Sequence, residues 1–302
     1  VKPLFCFIDD TRFERENFRA HALEGFARVE FVIAESFAQA REMIGERLPL
    51  CFLLDIFGLD PQGGGDAADL RLPAPERLAA VLGEAASLEE LYAGVEPTGE
   101  GANAFLRRVY AQVERWQRAF LLAAGGVGQS RAYGLYNLAR VREHYPWAAC
   151  LGYSRKALYL DAAALVQAGA DGLLQKPQGV GDEAIARATR QESPELARQA
   201  YATVERRLAQ EAASLVARLC RERDAGQAQT AALAAALADA VGHLNLNRTG
   251  EPPRRGRQEA CQALDACQAL DTFRREGGRR PPRDLAVAHI LRQWLNSFGS
   301  LP

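Results

Sequence analysis

Three aspartates, one serine and one lysine stand where short apolar runs stop, and together they could handle a phosphoryl group. Asp9 and Asp10 follow Leu4–Ile8, and Asp55 follows Leu50–Leu54. Ser154 closes the run 148–153, and Lys176 closes 172–175. Carboxylates brought within a few ångströms of one another repel unless a cation joins them. A donor set made only of oxygen suits Mg²⁺, which prefers octahedral coordination and keeps some of its waters. An ion held this way can bridge a carboxylate to a phosphoryl oxygen and offset the charge that builds up during transfer. Asp55 would then be the nucleophile, forming an aspartyl phosphate. Lys176 would bring a mobile positive charge to a second phosphoryl oxygen. The Ser154 hydroxyl would donate to a third and could report occupancy by moving.

These residues need elements that carry them to one place. Continuous apolar runs bounded by polar residues predict strands buried on both faces at 4–8, 29–34, 50–54, 148–153 and 172–175. Helices are predicted between them, over 12–24, 36–47, 131–144 and 156–168, with another from about 182; Ser36 is placed to cap the second. Five strands alternating with helices imply an α/β fold, a parallel sheet covered on both sides. In such a sheet the ligand site lies beyond the carboxyl ends of the strands, where all five polar residues fall.

Composition narrows the setting. The 302 residues are 48% hydrophobic, enough for one large or two ordinary domains. With 37 basic and 38 acidic side chains, the chain is not built around a dense polyanion-binding surface. Residues 1–194 carry a net charge of about −5 and residues 195–302 about +4. The six cysteines have no zinc-knuckle spacing and are expected to be free thiols in a reducing compartment. With no apolar stretch of about 18 residues and no signal-like start, the expectation is a cytoplasmic protein without a membrane partner.

The order Phe7-Ile8-Asp9-Asp10, Leu53-Leu54-Asp55, Ser154 and Ala168-Gly169-Ala170-Asp171-Gly172-Leu173-Leu174-Gln175-Lys176-Pro177 resembles the response-regulator receiver family of two-component signalling. The resemblance implies a flavodoxin-like receiver fold with a five-stranded parallel sheet. It implies Mg²⁺ held by Asp9, Asp10, Asp55 and the backbone carbonyl of Phe57. It also implies phosphorylation of Asp55 by a histidine kinase or histidine phosphotransfer protein. Ser154 and Lys176 would contact the phosphoryl group and couple it to surface change, with a cis Lys176–Pro177 bond placing the ammonium. Chemistry beyond self-phosphorylation and dephosphorylation is not expected.

Three features depart from the family pattern. Asp55 and Ser154 are far apart in sequence, so a helical insertion is predicted at about 62–130, formed by segments near 75–92 and 102–124 and interrupted near Gly83. Arg155 follows Ser154 where the family favours a small residue, which makes it a candidate modulator of phosphodonor access or anion binding. Leu173 occupies the position of the family's switch aromatic. Residues 1–194 are read as the receiver with its insertion, and 195–302 as an all-helical output or interaction domain. That region has helices at 196–223, 230–244, 258–275 and 285–298, loops at 247–257 and 277–282, and a Leu/Val stripe over 204–219 that could serve a homodimer. Two other readings stay open: a phosphate-independent scaffold on the same fold, and DNA binding through the arginines of 250–292.

Overall fold

The computed structural model describes residues 2–59, 71–84, 86–96, 98–155, 159–223, 284 and 286–290. The apolar runs form strands: β1 (Leu4–Ile8), β2 (Glu30–Ala34) and β3 (Pro49–Leu54) in the first half, then β6 (Ala149–Ser154) and β7 (Gly172–Gln175). Every residue of β1, β3 and β6 is buried, as a strand covered on both faces requires. The five strands make one parallel sheet in the order β2-β1-β3-β6-β7. This is the flavodoxin-like order, and its reversal between β1 and β3 creates the crevice at which such sheets bind ligands.

Helices α1 (Arg12–His21) and α8 (Asp182–Arg223) pack together, as do α2 (Phe37–Ile44) and α6 (Ala132–His144). The helix predicted over 12–24 ends at His21, and turns fill 22–29. Ser36 caps α2, its hydroxyl accepting from the Gln39 N–H at 3.3 Å. Helix α7 (Tyr159–Gln167) leads into β7. The core is aromatic where α1 and α8 meet the sheet. Phe18 packs on Phe7 at 4.6 Å between ring centroids, and Tyr201 of α8 meets Phe5 and Phe26 edge to face at 5.9 and 6.0 Å.

The insertion leaves and returns through a two-stranded antiparallel ladder, β4 (Gly58–Leu59) against β5 (Gln129–Ser130). Between them lie α3 (Pro75–Leu82), α4 (Leu88–Tyr92) and α5 (Gly99–Gly126). Gly83 ends α3 at φ +63°, a backbone state that glycine adopts without steric cost. Ser87 opens α4 with a capping box closed by Glu90. The long α5 reaches the main core through Phe120, which packs edge to face on Phe57 at 5.4 Å.

The division expected at 194/195 falls inside α8, which passes through Pro194 without ending. Leu196, Ala197, Ala200, Tyr201, Val204, Leu208, Ala212 and Leu215 belong to the same buried core as the sheet, together with Ala286, Val287, Ala288 and Ile290. Residues 195–215 are therefore packed on the α/β unit. Much of the 204–219 stripe faces this core, so it is not an exposed dimer seam. The helix expected over 285–298 is seen at 286–290. The helices expected at 230–244 and 258–275, both loops, and the arginines of 250–283 lie outside the described residues.

Gly25 lets α8 approach this closely. A Cβ there would stand 2.5 Å from the Ser193 carbonyl carbon and 2.7 Å from the Pro194 nitrogen. Gly25→Ala is expected to destabilise the protein by about 1–3 kcal/mol through overpacking. Gly99→Ala, with nothing within 4 Å of its new methyl group, should be nearly neutral; chemical denaturation of both variants checks the contrast.

Candidate functional site

The sheet's own hydrogen bonds bring the acids together. The Asp55 N–H donates to the Ile8 carbonyl at 2.9 Å, and the Asp9 N–H donates to the Ala34 carbonyl at 3.0 Å. Three adjacent strand ends are thereby held level. Asp9, Asp10 and Asp55 each present a carboxylate oxygen, all within 4.8 Å of one another. Asp9 is fully buried and Asp55 is 5% exposed, so neither charge is relieved by bulk water.

Lys176 answers that charge. Its Nζ donates to Asp9 Oδ2 at 2.5 Å and to Asp55 Oδ1 at 2.9 Å, and stands 3.9 Å from Glu14 Oε2. Burial alone would lower the pKa of this ammonium. The carboxylates of Asp9, Asp55 and Glu14 overcome that and hold it above the ordinary lysine range, so Lys176 is charged. The Nζ also lies 5.6 Å from the Tyr153 ring centre and 5.7 Å from that of Phe7. The peptide bond before Pro177 is trans, not the cis form expected from the family. The lysine is instead placed by its strand end, where the Lys176 N–H donates to the Ser154 carbonyl at 3.1 Å.

Two of the other carboxylate oxygens meet backbone donors. The Thr11 N–H donates to Asp9 Oδ1 at 2.9 Å, and the Leu59 N–H donates to Asp10 Oδ2 at 2.8 Å. Arg15 steadies the loop after β1 by donating to the carbonyls of Asp9 and Asp10 at 2.6 and 2.8 Å. Phe57 lies between Asp55 and β4, in a segment pressed close to the acids. A Cβ on Gly58 would come within 2.9 Å of Asp10 Cγ and 2.7 Å of the Tyr133 ring. Beneath Asp55, Gly134 of α6 donates its N–H to the Ile56 carbonyl at 3.1 Å, and a Cβ on it would stand 2.9 Å from the Asp55 carbonyl oxygen. Ser154 is the last residue of β6 and is buried. Since Leu54 is registered against Gly152, Ser154 lies at the same sheet edge as Asp55.

Arg155 does not sit over the acids as a free cation. Its guanidinium ion-pairs with Glu14 and donates through Nε to the Pro177 carbonyl at 2.6 Å. Leu173 is a partly exposed residue of the edge strand β7. Glu14, Arg15 and Tyr133 were not singled out from sequence. Glu14, four residues after Asp10 in the first turn of α1, could have been found from helical spacing. Tyr133 carries no such local signal, because only the return of the insertion brings its ring to Gly58. Its hydroxyl donates to the Glu35 carbonyl at 2.7 Å, and burial, followed by the nearby acids, holds its pKa above the usual tyrosine value.

All the candidate metal ligands are oxygens, a set that fits a hard divalent cation and not a soft one. No helix among the described residues is long and apolar enough to cross a membrane.

No protein-family model and no curated protein matches the chain. Among solved structures it is similar to a CheY-like response regulator receiver domain protein from Methanospirillum hungatei JF-1. That match has 13% identity over 66% of this chain and 99% of the other, with a TM-score of 0.30. It is also similar to a response regulator protein from Burkholderia pseudomallei, described with a phosphorylated aspartic acid, calcium ion and citrate. Here the identity is 17%, over 65% of this chain and 71% of the other, and the TM-score is 0.29. The assignment of the fold rests on the strand order and register given above.

Removing the ammonium would take away the buried cation from which both Asp9 and Asp55 accept. Lys176→Met is expected to cost about 3–5 kcal/mol of folding stability, the scale for breaking a buried ion pair. Added Mg²⁺ should return part of that loss. Denaturant titrations with and without the metal measure both effects.

Proposed function

We propose that this chain is a two-component response regulator that accepts a phosphoryl group on Asp55. One observation carries the reading: three carboxylates clustered at the ends of adjacent parallel strands, with a buried lysine bonded to two of them. A structural role for any single acid would not require this convergence.

Asp9, Asp10 and Asp55, with the Phe57 backbone carbonyl, would hold Mg²⁺. When bound, the ion would neutralise charge on the incoming phosphoryl oxygens and on the acids themselves. The chain's own residues supply the rest. An Asp55 carboxylate oxygen attacks phosphorus, the bond from phosphorus to the donor's nitrogen or oxygen breaks, and the donor leaves with that electron pair. Lys176, already on Asp55, follows the new charge to a phosphoryl oxygen. The Ser154 hydroxyl donates to another, and its shift carries the signal into the loop after β6. A histidine kinase or histidine phosphotransfer protein would be the donor. The response would travel by protein contact through α8, the insertion and the rest of residues 195–302.

A second reading, a scaffold that works without phosphate, draws on one observation. Asp55 is almost fully covered and already bonded by Lys176, so its oxygens must be released before they can react. Intact mass after incubation with acetyl phosphate and Mg²⁺ separates the two readings. A gain of one phosphoryl group, absent in Asp55→Ala and without metal, is expected. No gain under conditions that label an ordinary receiver would leave the scaffold.

A further inference from the structure

We propose that Glu14 and Arg155 form a charge-neutral strut that keeps Lys176 on Asp9 and Asp55, which makes both of them positioning residues for the acidic site. The inference rests on the phosphoacceptor reading for its anion arm but not for its cation arm.

The strut joins three of the four strand ends that carry the site. Glu14 sits in the first turn of α1, just after the acid pair; Arg155 follows Ser154; and Pro177 follows Lys176. Arg155 ion-pairs with Glu14 and donates to the Pro177 carbonyl at 2.6 Å, while Gln178 Nε2 donates back to the Arg155 carbonyl at 3.2 Å. Glu14 and Arg155 are each 15% exposed in their side chains, so water screens the pair weakly. The second Glu14 oxygen stands 3.9 Å from Lys176 Nζ, near enough to compete for the ammonium.

Charge counting shows what the pair accomplishes. Asp9, Asp10, Asp55 and Glu14 bring four negative charges, and Lys176 and Arg155 two positive ones. Arg15, on the outer side of the same loop, has its own partner in Glu35 at 3.4 Å. Among the described residues, with Glu14 cancelled by Arg155, the site keeps a deficit of two charges, which one divalent cation balances. Without Arg155 the deficit becomes three. Glu14, relieved of its partner, would then draw Lys176 away from Asp55 and from any anion arriving there.

A cation and an anion should therefore respond in opposite directions. In Arg155→Ala, calorimetric affinity for Mg²⁺ should rise by about three- to tenfold, the effect of one added charge at nearby range in a partly screened site. Affinity for beryllofluoride at saturating Mg²⁺ should fall by a similar factor. Glu14→Gln alone should weaken Mg²⁺ binding, and the double variant should return both affinities to within about twofold of wild type. Loosened packing would instead weaken both ligands together and would not be rescued by Glu14→Gln, so that result overturns the strut. Wild-type protein that binds Mg²⁺ but no beryllofluoride would remove the phosphoacceptor reading; the Mg²⁺ shift in Arg155→Ala would still decide the strut. Wild-type protein that binds neither would overturn both.

Discussion

A buried excess of negative charge at the ends of adjacent strands is the constraint around which this molecule is organised. Three carboxylates within 4.8 Å of one another cannot remain ionised in an apolar setting unless positive charge and N–H donors surround them. Lys176 provides the charge and the Thr11 and Leu59 amides provide donors. These groups offset only part of the charge, and the excess that remains is of the kind a divalent cation would balance.

The surrounding architecture holds that balance in place. Parallel pairing levels the ends of β1, β3, β6 and β7, so residues distant in sequence meet at one edge. The β4/β5 ladder pins both ends of the insertion at the same edge, and Phe120 rests on Phe57, two residues beyond Asp55. A long insertion costs little in chain entropy, since closure depends only weakly on loop length. Helix α8 in turn contributes to the core of the sheet as far as Leu215. The α/β unit thus packs against two long helices, α5 at Phe57 and α8 at the aromatic layer of Phe5, Phe26 and Tyr201.

Much of the fold and of the site was legible in the residues themselves. The strands buried on both faces, β1, β3 and β6, appear as apolar runs with sharp polar ends, because such a strand has no periodicity to blur its limits. Helix limits were less distinct. The end of α1 at His21 carries no glycine or proline signal, and Ser-Pro at 193–194 reads as a boundary although the helix continues through it. Proline removes a donor and crowds the preceding turn, but local preference yields where tertiary burial is large, and beyond Pro194 the side chains of Leu196, Ala200, Val204, Leu208 and Leu215 are buried in the core shared with the sheet.

By itself the sequence determined the α/β class, the five strands and the five polar residues at their ends, since these follow from local runs of apolar side chains and the residue that stops each run. Tertiary structure alone decided how the charges are shared. Lys176 lies 167 residues from Asp9 in the chain and 121 from Asp55, and Arg155 lies 141 from Glu14. Which carboxylate takes which cation is set by ångström distances between separate loops. Burial makes those distances count and local sequence does not encode them. The same reasoning covers the return of Tyr133 to Gly58 and the passage of α8 through Pro194, each set by packing between distant segments.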